Sequence, residues 1–302
     1  MQIRLSENFR AVFYAPFYAT LALGLFKDQG LDVVLRDSPS PGSGIADMEK
    51  GLIDVVWGGP LRVIHQRDTQ ARSAKDLLAF CEVAAKDPFF LVARHAPKAF
   101  DLSQLPHMRL GTVSEVPTPW LCLQQDLRDA GIDPNRVPRG PERSMPENLL
   151  ALARGELDVV QLFEPFVSQA VAQGAGQVVH AAHARGWTAY TTFIATLASI
   201  DKHRAAFEAM ILAVERFLPW LQAQGTDELA RVVAPFYPGV SPSHLKSAMA
   251  RYAQAQLWSC RRGISRAGFE RLGLGMQQAG FVRQVAAYED CVAPWSQEPL
   301  AD

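Results

Sequence analysis

Two tight breaks in the chain hold residues able to do chemistry: Trp57-Gly58-Gly59-Pro60, directly after the β-branched run Val55-Val56, and Phe163-Glu164-Pro165, separated by two residues from the run Val159-Val160. Glycines after an indole let a flat ligand reach the backbone, so Trp57 reads either as a stacking platform or as core filling. Glu164 reads as a carboxylate offered to a ligand or as a solvated loop acid. A third stretch, Asp37-Ser-Pro-Ser-Pro-Gly-Ser43, is dense in turn formers, and its Ser40 and Ser43 suit helix capping and anion binding alike, since both use a helix N-terminus. Glu115 stands just before a predicted helix start, where a negative charge is favourable. Covalent catalysis has little to work with. There is no G-x-S-x-G or P-loop pattern, and of the seven lysines only Lys86 falls near the breaks, so a Schiff base lacks a good position. His180 and His183 have no evident third metal ligand, and the four cysteines are scattered without a C-x-x-C, so neither metal nor cofactor is expected.

The elements that position these breaks repeat. Lys50 to Pro60, KGLIDVVWGGP, is echoed by Arg154 to Pro165, RGELDVVQLFEP. In each copy a basic residue and a glycine end a helix, an aspartate (Asp54, Asp158) opens an apolar run, and a break follows. Such runs fit strands buried on both faces of a sheet, and in open α/β sheets ligands bind beyond the carboxyl ends of strands. The echo predicts two similar α/β lobes facing one another, with the repeated aspartates structural. In chain order, strands are predicted at Gln2 to Ser6, Leu31 to Arg36, Leu77 to Ala84, Phe89 to Ala93, Met108 to Val113 and Gln177 to His180, with a long β segment from Trp187 to Leu197. Helices are predicted from Pro16 to about Gln29, from Pro117 to Ala130 and, after Leu197, over Lys202 to Gln222, Asp227 to Ala234, Pro242 to Gln256 and Arg266 to Gln278. Residues 1–90 are expected to begin lobe I, 91–189 to form lobe II, and 190–302 to return to lobe I with the C-terminal helices on it. Asp87 to Leu91 and Tyr190 to Ile194 are the expected hinge crossings.

At 302 residues the chain has length for two cores, and its net charge of −1, without a Lys/Arg run, argues against a nucleic-acid partner. Ala11 to Phe26 is apolar, but Pro16 and Gly24 interrupt it and it is too short to span a bilayer, so no membrane insertion is expected. The expected location is cytoplasmic if Met1 is the native start, and periplasmic if a leader has been removed.

Ala15-Pro16-Phe17-Tyr18-Ala19, followed by Gly24-Leu25-Phe26-Lys27-Asp28-Gln29-Gly30-Leu31-Asp32-Val33, resembles the opening of the substrate-binding proteins for nitrate, aliphatic sulfonates, taurine and thiamine-precursor pyrimidines. The Ser38 to Gly44 loop, the G-x-x-D-V strand at Gly51 to Val55, and Gly111-Thr112 before a helix ending in Ala130-Gly131-Ile132-Asp133 match as well, so the resemblance runs from about Ile3 to Leu221. It implies the type II periplasmic-binding-protein fold, α/β with two lobes on a two-strand hinge. It also implies a non-catalytic protein that closes on a small ligand for an ABC-type permease. Ligand contacts carried over by the resemblance are Arg10, Tyr14, Ser38, Ser40, Ser43, Trp57, Gly58, Thr112, Ser114, Glu115 and Glu164. Phe89 and Tyr190 add aromatic walls, and Arg62 joins Arg10 as a possible cation. Aromatic walls with acids suit a planar amine-bearing heterocycle such as a thiamine-precursor pyrimidine, which is slightly favoured; helix N-termini with arginine suit a sulfonate or carboxylate. Related folds include lyases acting on aromatic acids and a pyrimidine-synthesis enzyme, whose cysteine-rich cluster this chain lacks.

Overall fold

The computed structural model describes residues 1–38 and 40–297; Pro39 of the serine loop and residues 298–302 of the expected last segment lie outside the described residues. Two sheets organise the chain. The first comprises β1 (Gln2–Glu7), β2 (Asp32–Arg36), β3 (Val55–Gly58), β4 (Leu77–Ala84), β9 (Thr191–Thr196) and β10 (Trp258–Arg261), in the spatial order β10-β4-β9-β3-β1-β2. The second comprises β5 (Phe90–Ala93), β6 (Leu110–Gly111), β7 (Val159–Leu162) and β8 (Gln177–Ala181), in the order β6-β7-β5-β8.

The echoed segments occupy equivalent places. β3 lies parallel to β1, as β7 lies parallel to β6. Asp54 accepts from the backbone N–H of Arg4 at 2.8 Å and from its guanidinium at 2.9 and 2.6 Å. Asp158 repeats this with Arg109, at 2.8 Å from the backbone N–H and 3.0 and 2.9 Å from the guanidinium. Each pair fastens the strand after the echoed glycine to its parallel neighbour. Burial would push the Asp54 carboxyl up, but its bonds to Arg4 hold it below the usual range, and the bonds from Arg109 hold Asp158 low as well.

Local sequence explains the rest. β3, β4 and β7 are buried along their whole length, as apolar runs without alternation require. The helix predicted from Pro16 to Gln29 is divided into Ala15–Ala22 and Leu25–Asp28, because Gly24 takes φ +73°, a conformation open to glycine but not to a continuing helix. The long β segment expected from Trp187 is confined to β9. The return crossing therefore runs over residues 182–190, ahead of the expected Tyr190 to Ile194. β10, which the sequence reading left out, pairs antiparallel with β4 and leads the chain into the Arg266–Gln278 helix. That helix meets both units: it packs on the Leu61–Thr69 helix and, through Arg271 and Asp129 (3.1 Å), on the Thr118–Asp129 helix. No helix among the described residues is long and apolar enough to cross a membrane.

Candidate functional site

Two cavities lie where the units face each other. One, of about 340 Å³, has walls from Asn8, Gly59 and Arg62 on the first-sheet side and Val116, Pro117 and Thr118 on the other, with Phe281 closing it. The second, of about 510 Å³, is lined by Phe9, Arg10, Glu115, Phe163, Phe166 and the 236–240 loop, among others. Asn8-Phe9 and Glu115-Val116 each contribute one residue to either cavity. Phe9 reaches across to Phe163, with ring centroids 6.2 Å apart and nearly parallel planes.

Arg62 is the unusual group in the smaller cavity. It lies in the first turn of the Leu61–Thr69 helix, is partly buried, and has no carboxylate partner among the described residues. Its Nη2 donates to Asn8 Oδ1, which also accepts from Gly42 N–H at 3.0 Å. Gly42 sits at φ +90°, a conformation that favours glycine, and a Cβ there would come within 2.7 Å of Arg62 Nη1, so a side chain at this position would strain the loop and displace the guanidinium. Burial lowers the pKa of Arg62 from its usual value, with no acid to oppose it, and pushes the nearby Tyr14 phenol up.

The other expected contacts are placed differently. Trp57, read as a platform or as core, is fully buried: it stacks on Phe17 (4.4 Å, 15°) and meets Tyr18 edge-on. Tyr14, Phe89 and Tyr190 are also buried, Phe89 against Phe163 and Tyr190 against Phe13. The aromatic walls that favoured a heterocycle are therefore largely core. Gly58 is buried and accepts from Thr192 Oγ1 at 3.4 Å. Ser38 and Ser43 lie with their hydroxyl oxygens 2.8 Å apart and each 2.9 Å from the Ser40 carbonyl, where the two hydroxyl hydrogens are shared, so the serine hydroxyls staple their own loop. Neither Ser40 nor Ser43 caps the Ser43–Glu49 helix, whose N-cap is Gly42. Thr112 is buried, with its carbonyl taken by Asn148, and Ser114 is exposed.

The charged candidates divide clearly. Arg10 lines the larger cavity but is already neutralised by Glu7 (2.7 Å) and Asp37 (3.1 Å). Glu164, expected to meet a ligand, is fully buried and answered by Arg251 at 2.6 Å and by the N–H and hydroxyl of Ser168. Glu115 uses one oxygen to accept from Met145 N–H (2.9 Å), while the other is shut from solvent without a hydrogen-bond partner. Sequence reasoning missed Asn8, Phe9 and Phe163 as cavity groups; Asn8 and Phe9 follow β1 and Phe163 opens the second break, but nothing in residue type marks a side chain that turns into a cleft. Among the described residues no three His, Cys, Asp or Glu side chains gather to hold a metal.

Two sheet-centred units enclosing cavities at their junction are the architecture of the two-lobed periplasmic binding proteins, and comparison with solved structures bears this out. The Escherichia coli periplasmic aliphatic sulphonate binding protein SsuA superposes with a TM-score of 0.79 at 13% identity, covering 97% of each chain. The alkanesulfonate-binding protein SsuA of Xanthomonas axonopodis pv. citri, bound to MOPS, gives 0.69 at 13% identity over 95% of each chain. Residues 9–234 match the NMT1-like family, and the chain belongs to that family. A Bacillus subtilis (strain 168) relative, YtlA, named only as a candidate binding protein, is 24% identical over 96% of this chain and 87% of its own.

Proposed function

We propose that this chain is a non-catalytic solute-binding protein that takes a small anionic solute, a sulfonate or carboxylate, into the cavity at Arg62 and delivers it to an ABC-type importer. The observation carrying this reading is the guanidinium itself. A partly buried cation without an acid is costly unless something negative arrives, and its remaining N–H donors border an open cavity. The N-terminus of the Thr118–Asp129 helix opens on the same space from the opposite unit, adding the positive end of a helix dipole. Two structural relatives named for sulfonate binding support the same class of solute. The heterocycle reading loses support because its aromatic walls are packed away.

Calorimetric titration of alkanesulfonates, carboxylates, nitrate and pyrimidines tests this directly. A charge-assisted bond contributes about 1.5–3 kcal/mol, so Arg62→Gln should weaken the preferred anion by roughly ten- to hundredfold while leaving the unfolding midpoint close to that of the parent. Binding of pyrimidines alone, or an anion affinity indifferent to Arg62→Gln, would overturn it. The bound solute should also be recovered unchanged after prolonged incubation; its conversion would make the protein an enzyme.

A further inference from the structure

Phe281 lines the Arg62 cavity and also a further one, of about 530 Å³, whose other walls include Trp120 and Arg139 of the second unit. Pro117 is shared between the two in the same way. These two residues therefore partition the space. Pro117 belongs to the start of the Thr118–Asp129 helix, whereas Phe281 is a half-buried side chain that a substitution can shorten. We propose that Phe281 determines specificity: it sets the longest solute the Arg62 cavity accepts, and the solute so selected is a monoanion with a short alkyl tail. The inference rests on the anion reading and adds the nature of the tail.

The walls favour such a tail. Ile45, Leu61, Leu77 and Val116 join Pro117 and Phe281 as apolar lining, which gains from burying methylenes. Much of the polar lining is already engaged: Gln66 accepts from Leu77 N–H at 2.7 Å and donates to the Lys75 carbonyl at 3.2 Å, and Thr69 donates to the His65 carbonyl at 2.8 Å. Glu49, the acid on these walls, sets a like charge against any second anionic group. At about 340 Å³ the cavity stands near the lower end of small-molecule sites, so where it is closed decides what fits.

Phe281 is held firmly enough to act as a stop. Ahead of it, Arg128 of the Thr118–Asp129 helix donates to the Gln278 carbonyl at 3.1 Å. Behind it, the N–H groups of Arg283 and Gln284 each donate to the Asp68 carboxylate at 3.1 Å, and the Arg283 guanidinium donates to the Asp68 carbonyl at 2.8 Å. Asp68 lies on the same helix as Arg62, as does His65, whose ring centroid is 5.3 Å from that of Phe281. The cation and the stop are thus referred to one helix. Phe281 stands past residues 9–234, which match the family, so the limit on tail length is set by a part of this chain that the family match does not cover.

The test is a calorimetric titration of the straight-chain alkane-1-sulfonates, from methyl to decyl, into the full chain. Each methylene that fits adds up to about a fourfold gain in affinity, so affinity should climb along the series and then break, falling at least about tenfold short of that trend once the tail reaches Phe281. Phe281→Ala should open the way into the neighbouring cavity and move the break to a longer chain, and Phe281→Trp should move it to a shorter one. Arg62→Gln should lower every member by a similar factor and leave the break in place. A parent series without a break by decyl, or a break that stays put in both Phe281 variants, would overturn the inference. Affinities indifferent to Arg62→Gln would count against the anion reading alone, since a break that still moved with Phe281 would uphold the stop; no binding by any sulfonate would sink both.

Discussion

Trp57 fills the space between β3 and the Ala15–Ala22 helix, with Phe17 flat against one face and Tyr18 at its edge. Truncation there leaves a hole that rigid neighbours cannot close, and Trp57→Ala should cost about 3–5 kcal/mol of stability. Denaturant unfolding should show that loss, while solute affinity in the folded remainder stays near the parent value; an intact midpoint with lost affinity would put the indole back in the cleft. The sequence could not decide this. A bulky aromatic at the end of a buried strand satisfies either role, and which face it takes depends on a period-2 alternation whose partners lie elsewhere in the chain. The same limit hid Arg62, which stood in the sequence as one of two cations. Arg10 and Arg62 differ in which acids reach them, and Asp37 reaches the first from another segment. Glu7, three residues ahead of Arg10, was near enough to have been noticed.

At the scale of elements, the echo was the most legible feature, because helix-ending glycines and strand-opening aspartates act within a few residues. Their arginine partners were not legible. Arg4 and Arg109 stand 50 and 49 residues away and meet the aspartates only when parallel strands pair. β10 escaped for a related reason: at four residues and on the sheet edge, it is a strand mainly by virtue of β4 beside it. That joint buries Glu82, whose carboxylate meets Arg261 of β10 at 3.2 Å and the N–H of Ser265 at 3.2 Å. Desolvation outweighs these partners and raises its pKa from 4.5 to about 7. The folded protein thus holds the Glu82 proton more tightly than the unfolded chain. The resulting stability is complete below about pH 4.5 and drains away as pH rises to about 7, by on the order of 3 kcal/mol. Glu82→Gln should remove this dependence. Urea midpoints at pH 5 and pH 8 should converge in the variant relative to the parent, and an unchanged difference would mean that Glu82 is ionised throughout.

Across the whole molecule, the two units touch through contacts that a hinge motion must break or carry with it. The crossings between the sheets are themselves braced: Arg185, in residues 182–190, bonds Asp87 of the other crossing at 2.6 Å and also Asp126 of the Thr118–Asp129 helix. Rotation therefore has to pivot about this buried cluster. Farther out, Phe9 and Phe13 meet Phe163, at centroid distances of 6.2 and 5.4 Å. Aromatic pairs of this kind contribute about 0.5–1.5 kcal/mol each beyond their burial, enough to bias an open and closed equilibrium several-fold without fixing it. Replacing Phe9 with alanine removes the contact and leaves the braced crossings alone. The free variant should then populate opened forms, with a larger radius of gyration in small-angle scattering, while saturation with the preferred anion should restore the parent's compact value. Since solute must now draw on a smaller closed population, its apparent affinity should fall by the same factor by which that population shrinks. Scattering of the free Phe9→Ala protein identical to the parent, or a saturated form that stays expanded, would show that the Phe9 contact does not set the closure equilibrium.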